Sequence, residues 1–202
     1  MQQLDHLTTP NFEIILANVN KHIHLDRTEV DYFLSLLQYK TFKKKEFILR
    51  PSEICRTENF IIRGCTKTYT LNELGAEHIV MFGVEDWWIG DLYSFLSQTP
   101  STYYIEALEE SEILQISKSD LDTLYARVPK FERFFRILLQ NAFIAQQKRI
   151  EQTLALTAEE RYLDFVQKYP SLEQRLSQKQ VATYLGITPV FLSMLRKRLT
   201  QR

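Results

Sequence analysis

From Pro129 to Leu154 the chain runs without a glycine or a second proline. From Phe131 to Ala145 it is apolar on nearly every side, with Phe131, Phe134, Phe135, Ile137, Leu138, Leu139, Ala142, Phe143, Ile144 and Ala145. A helix through this stretch would be about 35–40 Å long at ~1.5 Å per residue, more than a small domain needs. A helix that is apolar all round must be buried on more than one side. One side can cover a neighbouring domain of the same chain. The economical cover for another is the same helix from a second copy, related by a two-fold axis. A central helix in a monomer is the alternative, and a chain of 202 residues has few other elements to cover it. The interface is therefore expected to use Phe131, Phe134, Phe135, Leu138, Ala142 and Ala145.

Upstream, the pattern is different. Phe12–Val19 and Arg27–Gln38 read as short amphipathic helices, and from Phe42 the texture changes to short β-type runs parted by turns. Phe47–Leu49 stops at Arg50-Pro51-Ser52, and Phe60–Ile62 stops at Gly64. Cys65–Leu71 alternates strictly, with Thr66, Thr68 and Thr70 on one face and Cys65, Lys67, Tyr69 and Leu71 on the other. Asn72-Glu73-Leu74-Gly75 supplies a hairpin turn before His78–Phe82. Runs at Tyr103–Leu108 and Ile113–Ile116 complete the strands of an antiparallel sandwich or jelly roll. Helical spacing returns at Ser119 and restarts at Pro129.

The C-terminal stretch carries the most specific local signal. Thr157-Ala158-Glu159-Glu160 is a capping box opening a helix Ala158–Tyr169, ended by Pro170. Ser177 and Gln180 form a second capping box. Gly186 stands where that short helix must end, because glycine accepts the left-handed conformation cheaply. Thr188 caps a further helix with Pro189 at its first position, where the missing N–H costs nothing. Ala182 lets the two helices cross closely, over a core of Val181, Leu185, Ile187, Leu192 and Leu195. Two short helices across a glycine turn, the second ending Arg196-Lys197-Arg198, form a helix-turn-helix. The alternative is a helical hairpin that touches no nucleic acid.

Charge is distributed to match. The chain is neutral overall, yet residues 1–128 carry 12 Lys and Arg against 19 Asp and Glu, while residues 153–202 carry 8 against 4. After Glu173 no acidic residue follows, whereas Arg175, Lys179, Arg196, Lys197, Arg198 and Arg202 do. A basic end on a neutral chain points to a polyanionic partner for that end. Leu192, Leu195 and Leu199 repeat at helical spacing toward the core, so Val190, Ser193, Met194 and Lys197 face away from it. Ser177, Lys179, Thr188, Val190, Ser193, Met194, Arg196, Lys197 and Arg198 are the expected DNA contacts. Phosphate contacts by Lys179, Arg196, Lys197, Arg198 and Arg202 should dominate affinity.

A β-roll, a long helix and a terminal helix-turn-helix, in that order, resemble the Crp/Fnr family of transcription regulators. Lys43–Phe47, Gly75–Val80, Trp87–Phe95 and Val128–Arg133 are similar to its short Bacteroidetes members. The fold class is then α+β. An antiparallel cyclic-nucleotide-binding-like roll with flanking helices spans 1–128, a dimerisation helix 129–154, and an all-α helix-turn-helix domain 155–202. The resemblance implies a two-fold homodimer, DNA and RNA polymerase as partners, and a small-molecule effector whose identity is left open, as are the target promoters and the direction of control. The effector pocket would use Trp88, Gly90, Asp91, Leu92, Tyr93, Ser101 and Thr102.

The sequence departs from the family in three places. Cyclic-AMP-responsive members follow a Gly-Glu pair with an Arg-Ser pair that neutralises the cyclic phosphate. Gly90-Asp91 resembles the first pair, but Ser101-Thr102 stands at the second, without the bidentate arginine. Cyclic AMP is therefore not the expected signal. Oxygen-sensing members hold an iron–sulfur cluster on four cysteines, whereas Cys55 and Cys65 read as buried β-residues. Val190 and Met194 stand where the family's base-reading Glu and Arg would be.

Other classes are less well supported. A cupin-type metal enzyme would need clustered His and carboxylate ligands on neighbouring strands. His22 and His24 precede the strands and His78 stands alone on one, so no metal, cofactor or catalytic residue is expected. An effector-binding roll whose helical end makes only protein contacts does not account for the basic end. Two cysteines suit a reducing compartment. No apolar run approaches the ~20 residues of a membrane span, and the start, Met1–Asp5, is not a secretory signal. The cytoplasm is the expected location.

Overall fold

The computed structural model describes residues 10–199, so Met1–Asp5, His6 and Arg202 lie outside the described residues. Two short helices open the chain, α1 (Glu13–Asn20) and α2 (Arg27–Ser35). Asp26 and Glu29 close a reciprocal capping box on α2, and Phe33 is buried beneath it. The helix stops three residues short of the expected Gln38, because Gln38 already begins β1 (Gln38–Phe42) and pairs with Gln115. This strand is polar and mostly exposed, so its sequence carries little strand signal.

Among the described residues eight strands make two four-stranded antiparallel sheets. The first runs β1, β8 (Ser111–Ser117), β3 (Thr57–Arg63) and β6 (Trp88–Ile89). The second runs β2 (Phe47–Leu49), β7 (Tyr104–Ala107), β4 (Thr66–Leu71) and β5 (Glu77–Gly83). At the β4–β5 hairpin the Asn72 side chain accepts the Leu74 and Ala76 amides, at 3.0 and 2.9 Å. Alternating β4 is buried on both faces. Its threonine face lies inside the roll, while Tyr69 faces the C-terminal helices.

After β6 comes α3 (Leu92–Ser97), a one-and-a-half-turn helix that the sequence reading missed. Ser117 caps α4 (Lys118–Arg127), and α5 runs from Lys130 to Ala155. Its 26 residues span about 39 Å at ~1.5 Å per residue. Then follow α6 (Ala158–Lys168), α7 (Pro170–Arg175), α8 (Gln178–Leu185) and α9 (Pro189–Leu199). Pro170 ends α6, as expected, but also opens α7 at the position where a missing N–H is harmless.

Two cores result. One gathers α1, α2, the roll, α4 and the first half of α5, with Phe33, Phe60, Phe131 and Phe134 fully enclosed. The other joins the outer face of β4 and β5 to α6, α7, α8 and α9. The C-terminal helices are thus seated on the roll. Among the described residues no helix is long and apolar enough to cross a membrane.

Candidate nucleic-acid interface and sensor corner

The α8–α9 pair is built from its caps inward. Ser177 accepts the Gln180 amide and Gln180 returns the bond to Ser177 N–H, at 3.3 and 2.8 Å. Gly186 closes α8 at φ +69°, and the Ile187 amide reaches back to the Ala182 carbonyl at 3.0 Å. This is the six-residue closure that a left-handed glycine permits. Thr188 accepts the Phe191 amide at 3.1 Å, and the Gln178 side chain donates to the Pro189 carbonyl at 2.8 Å, tying the helices together. Val181, Ala182, Leu192 and Leu195 fill the crossing.

The outward face of α9 is as the leucine spacing requires. Val190 is 69% exposed and Met194 58%. Ser193, Lys197 and, on α8, Lys179 are also exposed. Phe191, exposed on the same helix, was missed by the sequence reading; its place beside Val190 in the first turn was the available signal. Two of the expected phosphate contacts are engaged within the chain. Arg196 donates to Tyr162 Oη at 3.1 Å and Glu173 Oε1 at 3.0 Å, which braces α9 against α6 and α7. Arg198 pairs with Glu159, so it reaches a phosphate only by leaving that carboxylate.

At the opposite end of the chain's logic lies the sensor corner. Asp91 caps α3: one oxygen accepts the Ser94 amide at 3.2 Å and the other accepts the Ser101 hydroxyl at 2.7 Å. Both residues are buried, so the Gly90-Asp91 and Ser101-Thr102 segments meet. They meet by satisfying each other. The remaining expected pocket residues disperse: Leu92, Tyr93 and Thr102 are exposed. Trp88 points the other way, packing on Phe60 and Phe135 and donating to Asn18 Oδ1 at 3.1 Å. These four are not pocket-lining partners of Asp91.

Glu58 was not anticipated. A Cβ on Gly90 would stand 3.2 Å from its carboxylate, so glycine keeps the strand close. Burial, and then the charge of Asp91, push its pKa up to about 8. Its charge disfavours the ionisation of Tyr125 and of Cys55.

The comparisons bear on this architecture as a whole. The cyclic nucleotide-binding domain model matches residues 39–128. An anaerobic regulatory protein of Pasteurella multocida is 28% identical over 191 residues, covering 87% of this chain and 68% of that protein. The fumarate and nitrate reduction regulatory protein of Vibrio cholerae is 27% identical over 191 residues, covering 86% and 74%. Among solved structures, the c-di-GMP-responsive regulator CLP of Xanthomonas campestris superposes with a TM-score of 0.70 at 14% identity, covering 87% of this chain and 92% of that one. The chain thus carries a cyclic nucleotide-binding domain, and over most of its length it is similar to transcription regulators of the Crp/Fnr type.

The long helix divides its labour. Phe131, Phe134 and Phe135 are buried in the chain's own sensor core, and Leu138 packs half-buried against it. Their assignment to a subunit interface is therefore corrected: no partner could reach the three phenylalanines. Ala142 and Ala145 line a cavity against the chain's own C-terminal helices. The exposed large apolar side chains of α5 are Leu139, Phe143, Ile144, Ile150 and Leu154; all but Ile144 fall within about 60° of arc at 100° per residue.

The joint between roll and helix-turn-helix is charged. Arg175 on α7 forks onto Glu85 at 2.8 and 3.0 Å and also pairs with Glu109. Burial works against the Glu85 charge, but Arg175 and the Gly64 amide outweigh it and hold the carboxyl below its usual range. The cysteines are separated, Cys55 in the sensor core and Cys65 under the C-terminal helices. Burial pushes their thiols up to about 11 and about 12. No group of three or more His, Cys, Asp or Glu able to hold a metal gathers among the described residues.

Proposed function

We propose that this regulator binds DNA in the cytoplasm as a two-fold homodimer, with α9 in the major groove, and that cyclic AMP is not its signal. The observation that carries the reading is the outward face of α9, where Val190, Ser193, Met194 and Lys197 stand clear of the core that Leu192 and Leu195 fill. Ser193 and Lys197 can hydrogen-bond base edges, and Val190 and Met194 can touch a thymine methyl. The narrow arc of Leu139, Phe143, Ile150 and Leu154 supports pairing of α5 with its copy. Two recognition helices would then lie about 34 Å apart, one turn of DNA.

A mobility-shift series across salt tests the DNA reading. Lys179→Ala should weaken binding to all sequences alike and flatten the salt slope by about one unit. Val190→Glu should instead change sequence preference by offering an acceptor to cytosine. If Lys179→Ala changed preference and Val190→Glu did not, the groove-facing surface would be misplaced. Against cyclic AMP stands the corner itself, where Ser101-Thr102 replaces the arginine-bearing pair and Ser101 is engaged with Asp91. Calorimetry with millimolar cyclic AMP or cyclic GMP should give no saturable heat, and micromolar binding of either would refute this part.

A further inference from the structure

Between β5, one side of α5 and helices α6 and α8 lies a cavity of about 280 Å³. It is at the small end of ligand-site volumes, ~300–1,000 Å³. Aromatic rings form much of its wall: Trp87 meets Tyr169 edge-on at 5.7 Å, and Phe165 meets Tyr184 at 5.5 Å. Its charge is one-sided. Lys148, Arg149, Arg161 and Lys168 line it, and Asp164 is the acidic residue among the lining groups.

The arginines are held by neutral partners. Arg149 donates to the carbonyls of Ile79 and Tyr184 at 3.1 and 3.3 Å and lies over the Tyr184 ring. Arg161 donates to the carbonyls of Leu156 and Leu185 at 2.7 and 3.2 Å, and its Nε is buried with no hydrogen-bond partner. Among the described residues neither forms an ion pair with a carboxylate. A carbonyl satisfies a donor without neutralising its charge, so positive charge is stored beside aromatic surface. Most of the α5 side chains lining it face away from the exposed apolar arc of that helix. The cavity is lined by Ala142, Ala145, Arg149 and Gln152, on a different side of the helix from Leu139, Phe143 and Ile150.

We propose that this cavity binds a small planar organic anion, an aromatic or heteroaromatic ring bearing a carboxylate or phosphate. The ring would lie among Trp87, Phe165 and Tyr169, and the anion would meet the charge of Arg149, Arg161 and Lys168. The site is separate from the Asp91–Ser101 corner and touches the roll, α5 and the helix-turn-helix domain together.

Both tryptophans of the chain, Trp87 and Trp88, line the cavity, so their fluorescence reports occupancy. Titrating the full-length protein with 2-naphthoate should quench it saturably at one site per chain. Uncharged 2-naphthamide should bind at least tenfold more weakly. Lys168→Glu should weaken 2-naphthoate at least tenfold, and Ala145→Phe, which fills space without touching a charge, should abolish saturation with the circular dichroism unchanged. Equal affinity for naphthoate and naphthamide would overturn the proposal. So would 2-naphthoate binding unaltered by both substitutions. The titration contains no DNA, so its failure is distinct from a failure of the DNA reading.

Discussion

The two halves of α5 have similar apolar content and opposite surroundings. Phe131, Phe134 and Phe135 are enclosed by α2, α4 and the sheet that ends in β6. Phe143, one turn beyond Leu139 on the same helix, is 63% exposed. The first half belongs to the chain's own fold, whereas the second presents one arc outward and another to the helix-turn-helix domain. Hydrophobicity therefore says that a residue needs cover, and only the arrangement of the remaining elements says whose.

The largest effect expected from testing this contrast is in the first half. Phe134→Ala should cost about 3–5 kcal/mol, from lost burial and the cavity left behind. Its denaturation midpoint should shift by the same amount at any protein concentration; a concentration-dependent shift would mean that the first half also serves an interface. In the second half, Phe143→Glu should leave the sensor core folded yet raise the dimer dissociation constant a hundredfold or more, read by sedimentation. An unchanged dimer would place the two-fold seam elsewhere.

The joint beside that half is weaker. Arg175→Gln should loosen the helix-turn-helix domain from the roll, worth about 1–3 kcal/mol for a half-buried charged fork. Limited proteolysis should then cut first between α5 and α6, and an unchanged digestion pattern would show that the apolar contacts alone hold the joint. The smallest effect concerns Glu58, in the core that the first half closes. Its folded pKa is raised to about 8, so in the pH range between the ordinary carboxyl value and 8 the unfolded chain loses a proton that the folded chain keeps. Stability should therefore fall as pH rises through that range. Glu58→Gln should remove the slope and exceed the native protein near pH 8 by roughly 1–3 kcal/mol; parallel curves for the two proteins would refute the assignment.

Much of this architecture is legible in local pattern. Capping boxes at Thr157 and Ser177, the left-handed turn at Gly186 and the spacing of Leu192, Leu195 and Leu199 are all short-range signals, and they locate α6, α8 and α9 closely. The hairpin at Asn72–Gly75 belongs with them. What pattern does not carry is placement against distant residues. β1 is recognisable only by its pairing with β8, and α3 only by the Asp91 cap. Arg196 looks like a phosphate ligand until Glu173 and Tyr162 stand beside it. Glu58 gives no local sign of its surroundings, because Gly90, Asp91 and Tyr125 reach it from later in the chain. Trp88 fails as a corner residue for the same reason: its neighbours arrive from α1 and α5.

The sealing of both sulfur atoms has a practical consequence. Cys65 is wholly inaccessible and Cys55 nearly so, and their thiols remain protonated well above neutral pH. Thiolate is the species that attacks maleimides and nitroxide reagents. A single cysteine introduced at exposed Ser193 would then be the one group labelled in the folded protein, with both native cysteines left in place. A spin label there would measure the separation of paired recognition helices directly, free of background from the sensor.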